Sequence, residues 1–153
     1  MRHLADIVNA MAQSFLSIPP LVADLNPVDP VKAYIDRNST SNSTEKAIYQ
    51  MQPGQLLLIW RASLLTETDM SKWDHRVDIC VRALPGHSDL TLIDEIMEGV
   101  PVPGDGMWWR NCPLLPGLYA TKVTEITRET DTEGVDYGVI RTSTLETGDY
   151  PNP

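Results

Sequence analysis

Trp73-Asp74-His75-Arg76-Val77-Asp78-Ile79-Cys80-Val81-Arg82-Ala83 alternates without a break. Trp73, His75, Val77, Ile79, Val81 and Ala83 fall on one side, and Asp74, Arg76, Asp78, Cys80 and Arg82 on the other. A period of two is the signature of a strand, because successive side chains leave a pleated backbone on opposite faces. One apolar and one charged face describe a half-buried antiparallel strand, with its charged side turned to water or to another subunit.

Further strands follow on both sides of this one. Gln55-Leu56-Leu57-Leu58-Ile59-Trp60-Arg61 is almost wholly apolar, which suits a strand buried on both faces or held against a partner. Pro53-Gly54 ahead of it is a turn signal. Val31 to Ile35 is a short strand next to prolines, a position typical of a sheet edge. Tyr119–Arg128 and Val135–Thr144 are two more, with Asp131-Thr132-Glu133-Gly134 as the hairpin turn between them. Leu4, Ile7, Val8, Met11, Phe15 and Leu16 recur at helical spacing, and Pro19-Pro20 is expected to end that helix. A second helix is expected over Asp89–Glu98, with Ser88 as N-cap, Gly99 as stop, and Leu90, Ile93, Ile96, Met97 and Val100 as its buried stripe. A further short helical turn is expected over Thr44–Met51. The sum is an α+β fold: an antiparallel sheet of about four to five strands with two main helices on one face. The expected organisation is a single domain over residues 1–145, followed by an acidic tail over 146–153.

Composition narrows the function. The chain has 153 residues, 42% of them hydrophobic, which is ample for one folded domain. Twelve basic and 21 acidic side chains leave a net charge of −9, which opposes tight binding to a phosphate backbone or an anionic membrane. No apolar run reaches the length of a membrane span, and Asp6, Asn9 and Gln13 interrupt the first helix in a way no signal peptide does. Cys80 and Cys112 are too few for a disulfide framework, so reduced thiols and synthesis in the cytoplasm are expected.

Catalytic patterns are sparse. His3, His75 and His87 are scattered and lack metal-ligand spacing, and no C-x-x-C or H-E-x-x-H occurs, so no metal or cofactor is expected. His75, on the apolar side of its strand, reads as a core or interface histidine. Ser43-Thr44-Glu45-Lys46 matches S-x-x-K without the companion motifs of the acyl-enzyme families. Gly104-Asp105-Gly106 is too short to cradle a phosphate and reads as a turn. Asn38-Ser39-Thr40 and Asn42-Ser43-Thr44 fit the glycosylation sequon by chance in a Ser/Thr/Asn-rich loop. No catalytic residue is assigned, and the chain is not expected to be an enzyme.

Interface-type residues are more prominent. The proline- and glycine-rich stretch from Glu98 to Gly117 surrounds Met107-Trp108-Trp109-Arg110. Adjacent residues of an extended segment point to opposite sides, so Trp108 and Trp109 cannot both enter one small core. Trp and Arg are typical of interface hot spots. Three uses are open, a cap on the domain's own core, an anchor between subunits, or the wall of a small-ligand pocket, and Trp108, Trp109 and Arg110 are expected to supply the strongest single contact to a partner protein. Asp36–Thr44, with Arg37 and Asn38, and the tail from Glu146 with Tyr150 are too polar to order alone. They are expected to be arms that reach neighbouring chains. Asp74, Arg76, Asp78 and Arg82 are candidates for lateral charge contacts.

This layout is similar to that of the tail-terminator or tail-completion proteins of tailed bacteriophages. The shared features are a short amphipathic helix, a polar loop before a strand pair, an alternating strand like Trp73–Ala83, a helix and a closing hairpin, together covering Leu4 to Thr144. The resemblance implies a virion protein of the neck that forms a ring, six-fold in that family, at the head–tail junction. Its partners would be further copies of itself, the tail tube protein and the head–tail connector or other neck proteins, and DNA would pass through the lumen without specific binding. Six copies at −9 each would give a strongly acidic ring, whose repulsion of phosphate favours passage over sticking. Alternatives are a head-completion or connector adaptor of the same neck, and a small-ligand-binding or enzymatic α+β domain.

Overall fold

The computed structural model describes residues 4–35, 48, 50–65, 72–98, 107–109, 118–130 and 134–147. Its strands are β1 (Val31–Ile35), β2 (Gln55–Leu65), β3 (Lys72–Arg82), β4 (Met107–Trp109), β5 (Leu118–Thr130) and β6 (Asp136–Thr147). Its helices are α1 (Leu4–Leu16), α2 (Pro19–Ala23) and α3 (Asp89–Glu98). All six strands join one sheet in the order β1-β2-β3-β6-β5-β4. The fold is α+β, as the alternation of residues 73–83 indicates. Every pairing is antiparallel except β1 with β2, which run parallel.

The period of two in β3 sorts the whole sheet. Leu58, Ile79 and Ile140 stand level on β2, β3 and β6, and with Leu56, Val77 and Val81 they form one apolar face. Val8, Met11 and Phe15 of α1, Leu21 of α2, and Leu92, Ile93 and Ile96 of α3 close over that face. Burying each such side chain contributes about 1.5–3 kcal/mol. The opposite face carries a second apolar cluster at one end, where Leu57, Ile59, Cys80, Tyr137 and Val139 pack with Ile48, Met51 and Tyr34. Two clusters therefore sandwich β2, which explains why Gln55–Ile59 is buried on both sides. β1 is an edge strand, as the prolines before it suggest.

Several details differ from the sequence reading. Pro19-Pro20 does not simply end a helix: both residues open α2, where proline's fixed φ and missing donor suit the first turn. In α3 the Ser88 hydroxyl accepts from Leu90 N–H at 3.2 Å, as a cap should. The buried stripe of α3 is Leu92, Ile93 and Ile96, however, and Leu90 is 49% exposed. Leu16, at the end of α1, is exposed as well. Met107–Trp109, read as loop, is a short strand on β5. Glu146 and Thr147, assigned to the tail, close β6 opposite Trp73 and Lys72. At the Pro53-Gly54 turn, Gly54 takes φ +79° and its carbonyl accepts from Asn26 N–H at 2.9 Å. A Cβ there would meet the Asn26 nitrogen at 2.8 Å, so the close approach requires glycine.

Candidate functional site

The half of the second sheet face that no described residue covers carries a row of charges. Arg61 stands at a bulge in β2, where the register with β3 slips between Trp60 and Ala62. The extra residue turns the guanidinium toward Asp78, and its Nε donates to Asp78 Oδ2 at 2.9 Å. Asp78 lies opposite Arg141 on β6, and Arg141 lies opposite Glu125 on β5. Arg141 Nε is 3.8 Å from Asp78 Oδ2. Its Nη1 donates to Glu125 at 3.1 Å and its Nη2 to Glu129 at 3.3 Å. Four strands thus present plus, minus, plus, minus in sequence, the arrangement in which every cross-strand neighbour attracts.

A second group continues the row toward the far end of β3. Arg76 Nε donates to Asp74 Oδ2 at 2.9 Å, and the Ser143 hydroxyl donates to the other oxygen of Asp74. The Tyr137 hydroxyl donates to Glu129 at 3.0 Å, which ties the charged row to the apolar cluster beside it. Asp78 is the buried centre, and the arginines around it are partly solvated. Burial by itself would lower the Arg141 pKa, but Asp78, Glu129 and Glu125 outweigh it and hold the guanidinium above its ordinary value. Burial, reinforced by Asp78, pushes the neighbouring Cys80 thiol up to about 12. Arg61, Arg76 and Arg141 all have carboxylate partners within their own subunit.

The structure brings Asp74, Arg76 and Asp78 together on this face and sets Arg82 apart. Arg82 shares their side by alternation but lies at the apolar end, where it is buried and Nη1 donates to the Met51 carbonyl at 2.6 Å. Its role is to fasten the segment that covers this end. Trp108 and Trp109 belong to β4, on the sheet edge beyond β5. Arg110, Arg37, Asn38 and Tyr150 lie outside the described residues, as do both expected arms apart from Glu146 and Thr147. Sequence reasoning missed Arg61, Arg141, Glu125 and Glu129. Their only signal was the like spacing of Glu125 and Glu129 on one strand face, and finding them required the register.

His75 is fully buried on the helix-covered face, in keeping with a core histidine. Among the described residues, no three of His, Cys, Asp and Glu converge to hold a metal, and no helix is long and apolar enough to cross a membrane. No protein-family model matches the chain, and no curated protein matches it.

Proposed function

We propose that the protein acts by assembly, as a ring-forming structural subunit of a phage neck, with tail termination as its role. The observation that carries the reading is the charged row on the open sheet face. A wall that DNA must slide past needs stiffness without free positive charge. Here the guanidinia of Arg61, Arg76 and Arg141 are already held by Asp78, Asp74, Glu125 and Glu129. A phosphate would have to displace a carboxylate to gain a contact, and the net charge of −9 opposes its approach. The α+β layout, with α1, α2 and α3 on one face of the sheet, supports the likeness to tail terminators. It serves a connector adaptor of the same neck equally well.

Native mass spectrometry and electron microscopy across a concentration series test the reading. Closed rings of one size are expected, with no detectable duplex DNA binding by fluorescence anisotropy at physiological salt. A protein that stays monomeric at every concentration, or that binds DNA under those conditions, overturns it.

A further inference from the structure

The two ends of the sheet are stepped in opposite senses. β1 lies along the outer side of β2 only from Leu56 to Trp60, so Arg61–Leu65 has no strand outside it among the described residues. β4 lies along β5 only at Thr121 and Lys122, so Thr124–Thr130 is equally bare. The registers place these steps at different heights. Lys122 and Thr121 stand level with Ala62 and Ser63 of β2, just beyond the point where β1 stops. Ala33 stands level with Leu58, Ile79, Ile140 and Ile126, in the middle of the bare part of β5. The strand protruding at one end therefore matches the recess at the other.

We infer that copies of this chain join by continuing the sheet from subunit to subunit, with β1 of one copy lying along the outer edge of β5 in the next. This rests on the ring reading above and names its contact. Strand direction fits: β1 runs with β2 and β6 and against β5, so the new pair is antiparallel. The backbone fits too. Leu56 N–H donates to the Pro30 carbonyl at 2.9 Å, and a parallel register then turns the amides of Lys32 and Tyr34 to β2 as well. Val31 and Ala33 direct theirs outward, and no backbone partner meets them among the described residues.

The side chains agree. With Ala33 opposite Ile126, a small exposed residue meets a large one that is 45% exposed, both on the helix-covered face. Lys32, 48% exposed, then falls opposite Thr127 on the other face, diagonal to Glu125 and Glu129 and within reach of both. The contact is head-to-tail, with different patches on its two sides, the kind of contact that makes a ring when the rotation between copies closes. A second copy satisfies direction, charge and shape at once.

Cysteines at Ala33 and Ile126, in a Cys112→Ser background, test the pairing. Four strand spacings, roughly 19 Å, separate these positions within one subunit, so any disulfide must link two copies. Mild oxidation is expected to give a ladder of covalent oligomers ending at the ring size, and neither single cysteine should do so. Ala33→Pro removes an outward N–H without touching the pairing to β2, and should abolish assembly with the melting temperature unchanged. Lys32→Glu should weaken assembly about 2–5-fold, with recovery when combined with Glu129→Lys. Rings that form without the cross-link, or with Ala33→Pro, overturn this contact and leave the ring reading standing. A ladder that stops at dimers overturns the contact as well, and a protein that never assembles overturns both.

Discussion

Ser63 Oγ lies 2.6 Å from His75 Nδ1, on the helix-covered face, and the same oxygen receives Trp60 Nε1–H at 2.8 Å. An indole nitrogen can only donate, so the Ser63 oxygen accepts there, and it joins the indole to the imidazole through one hydroxyl. Ser63→Ala would leave the indole N–H and Nδ1 without this partner and should cost about 1–3 kcal/mol in chemical denaturation.

Asp78 and Asp74 carry the same kind of ion pair in different surroundings, and the difference should be measurable. Asp78 is buried between Arg61 and Arg141, so Asp78→Ala removes the one carboxylate that both guanidinia approach, beside a low-dielectric cluster. A loss of about 2 kcal/mol is expected, typical of charge-assisted bonds. Arg76 is half exposed in its pair with Asp74, and Arg76→Ala should cost less than about 1 kcal/mol. Equal losses in urea melts would mean that the row is held together by solvated charges alone.

How far these arrangements were legible in the sequence differs by element. The faces of β3 could be read because a period of two is set by the backbone itself. The same alternation placed Arg82 with Asp74, Arg76 and Asp78, yet the segment ending at Met51 covers only Arg82's end of the face. That difference is tertiary. The stripe of α3 was read through Leu90 because 90, 93, 96 and 97 fit a helix as well as 92, 93 and 96 do. What decides between them is where the sheet lies, and α3 packs on β3 and β6, away from Leu90. The parallel direction of β1 leaves no local trace: residues 36–54 separate it from β2, enough chain for the return that a parallel pair needs. The bulge at Arg61 is invisible without the register, so the charged row could be seen only strand by strand.

Acid titration should act at the packing of α2 on α3. Burial, then contact with the Asp24 carboxyl and the charges of Asp24 and Glu98, raises the Glu95 pKa from 4.5 to about 7. His87 Nδ1 faces the same pair, 4.0 Å from Asp24. With the folded pKa above the unfolded one, the folded state binds more proton between pH 4.5 and 7. Stability should therefore fall as pH rises through that window and level off above it. After solvent screening the change is about 1 kcal/mol. Glu95→Gln should flatten this part of the profile and stabilise the protein at pH 8.

Cys80 should be inert to thiol reagents in the folded state. Its thiol is buried and its pKa pushed up to about 12, first by desolvation and then by Asp78, so almost no thiolate exists at neutral pH. In a Cys112→Ser variant, reaction with an aromatic disulfide should wait for denaturant and follow the unfolding curve. Rapid reaction without denaturant would show that the cluster around Met51 opens locally.

Helix and sheet approach closely at Gly138, and the position should tolerate added volume poorly. Gly138 pairs with Val81 on the helix-covered face, directly beneath α3. A Cβ built there would lie 2.7 Å from Ile93 Cδ1 and 2.8 Å from Val81 Cγ2, well inside normal contact. Its backbone is ordinary strand, so the glycine is required by packing alone. Gly138→Ala must push α3 outward or force Ile93 off its rotamer, at a cost of about 1–3 kcal/mol. The helix is anchored on either side by Ala83 N–H donating to Asp89 at 3.0 Å and by the approach of Arg128 to Asp89. Sliding α3 away would strain both, so the rotamer change is the easier response. Ile93→Val removes the clashing Cδ1 while keeping most of the apolar contact. In the Gly138→Ala background it should recover part of the lost stability, although alone it costs about 0.5–1.5 kcal/mol. A double-mutant cycle reads this as a coupling of opposite sign to simple additivity. If Ile93→Val merely adds its own cost to Gly138→Ala, the loss comes from the strand, and α3 does not rest on Gly138.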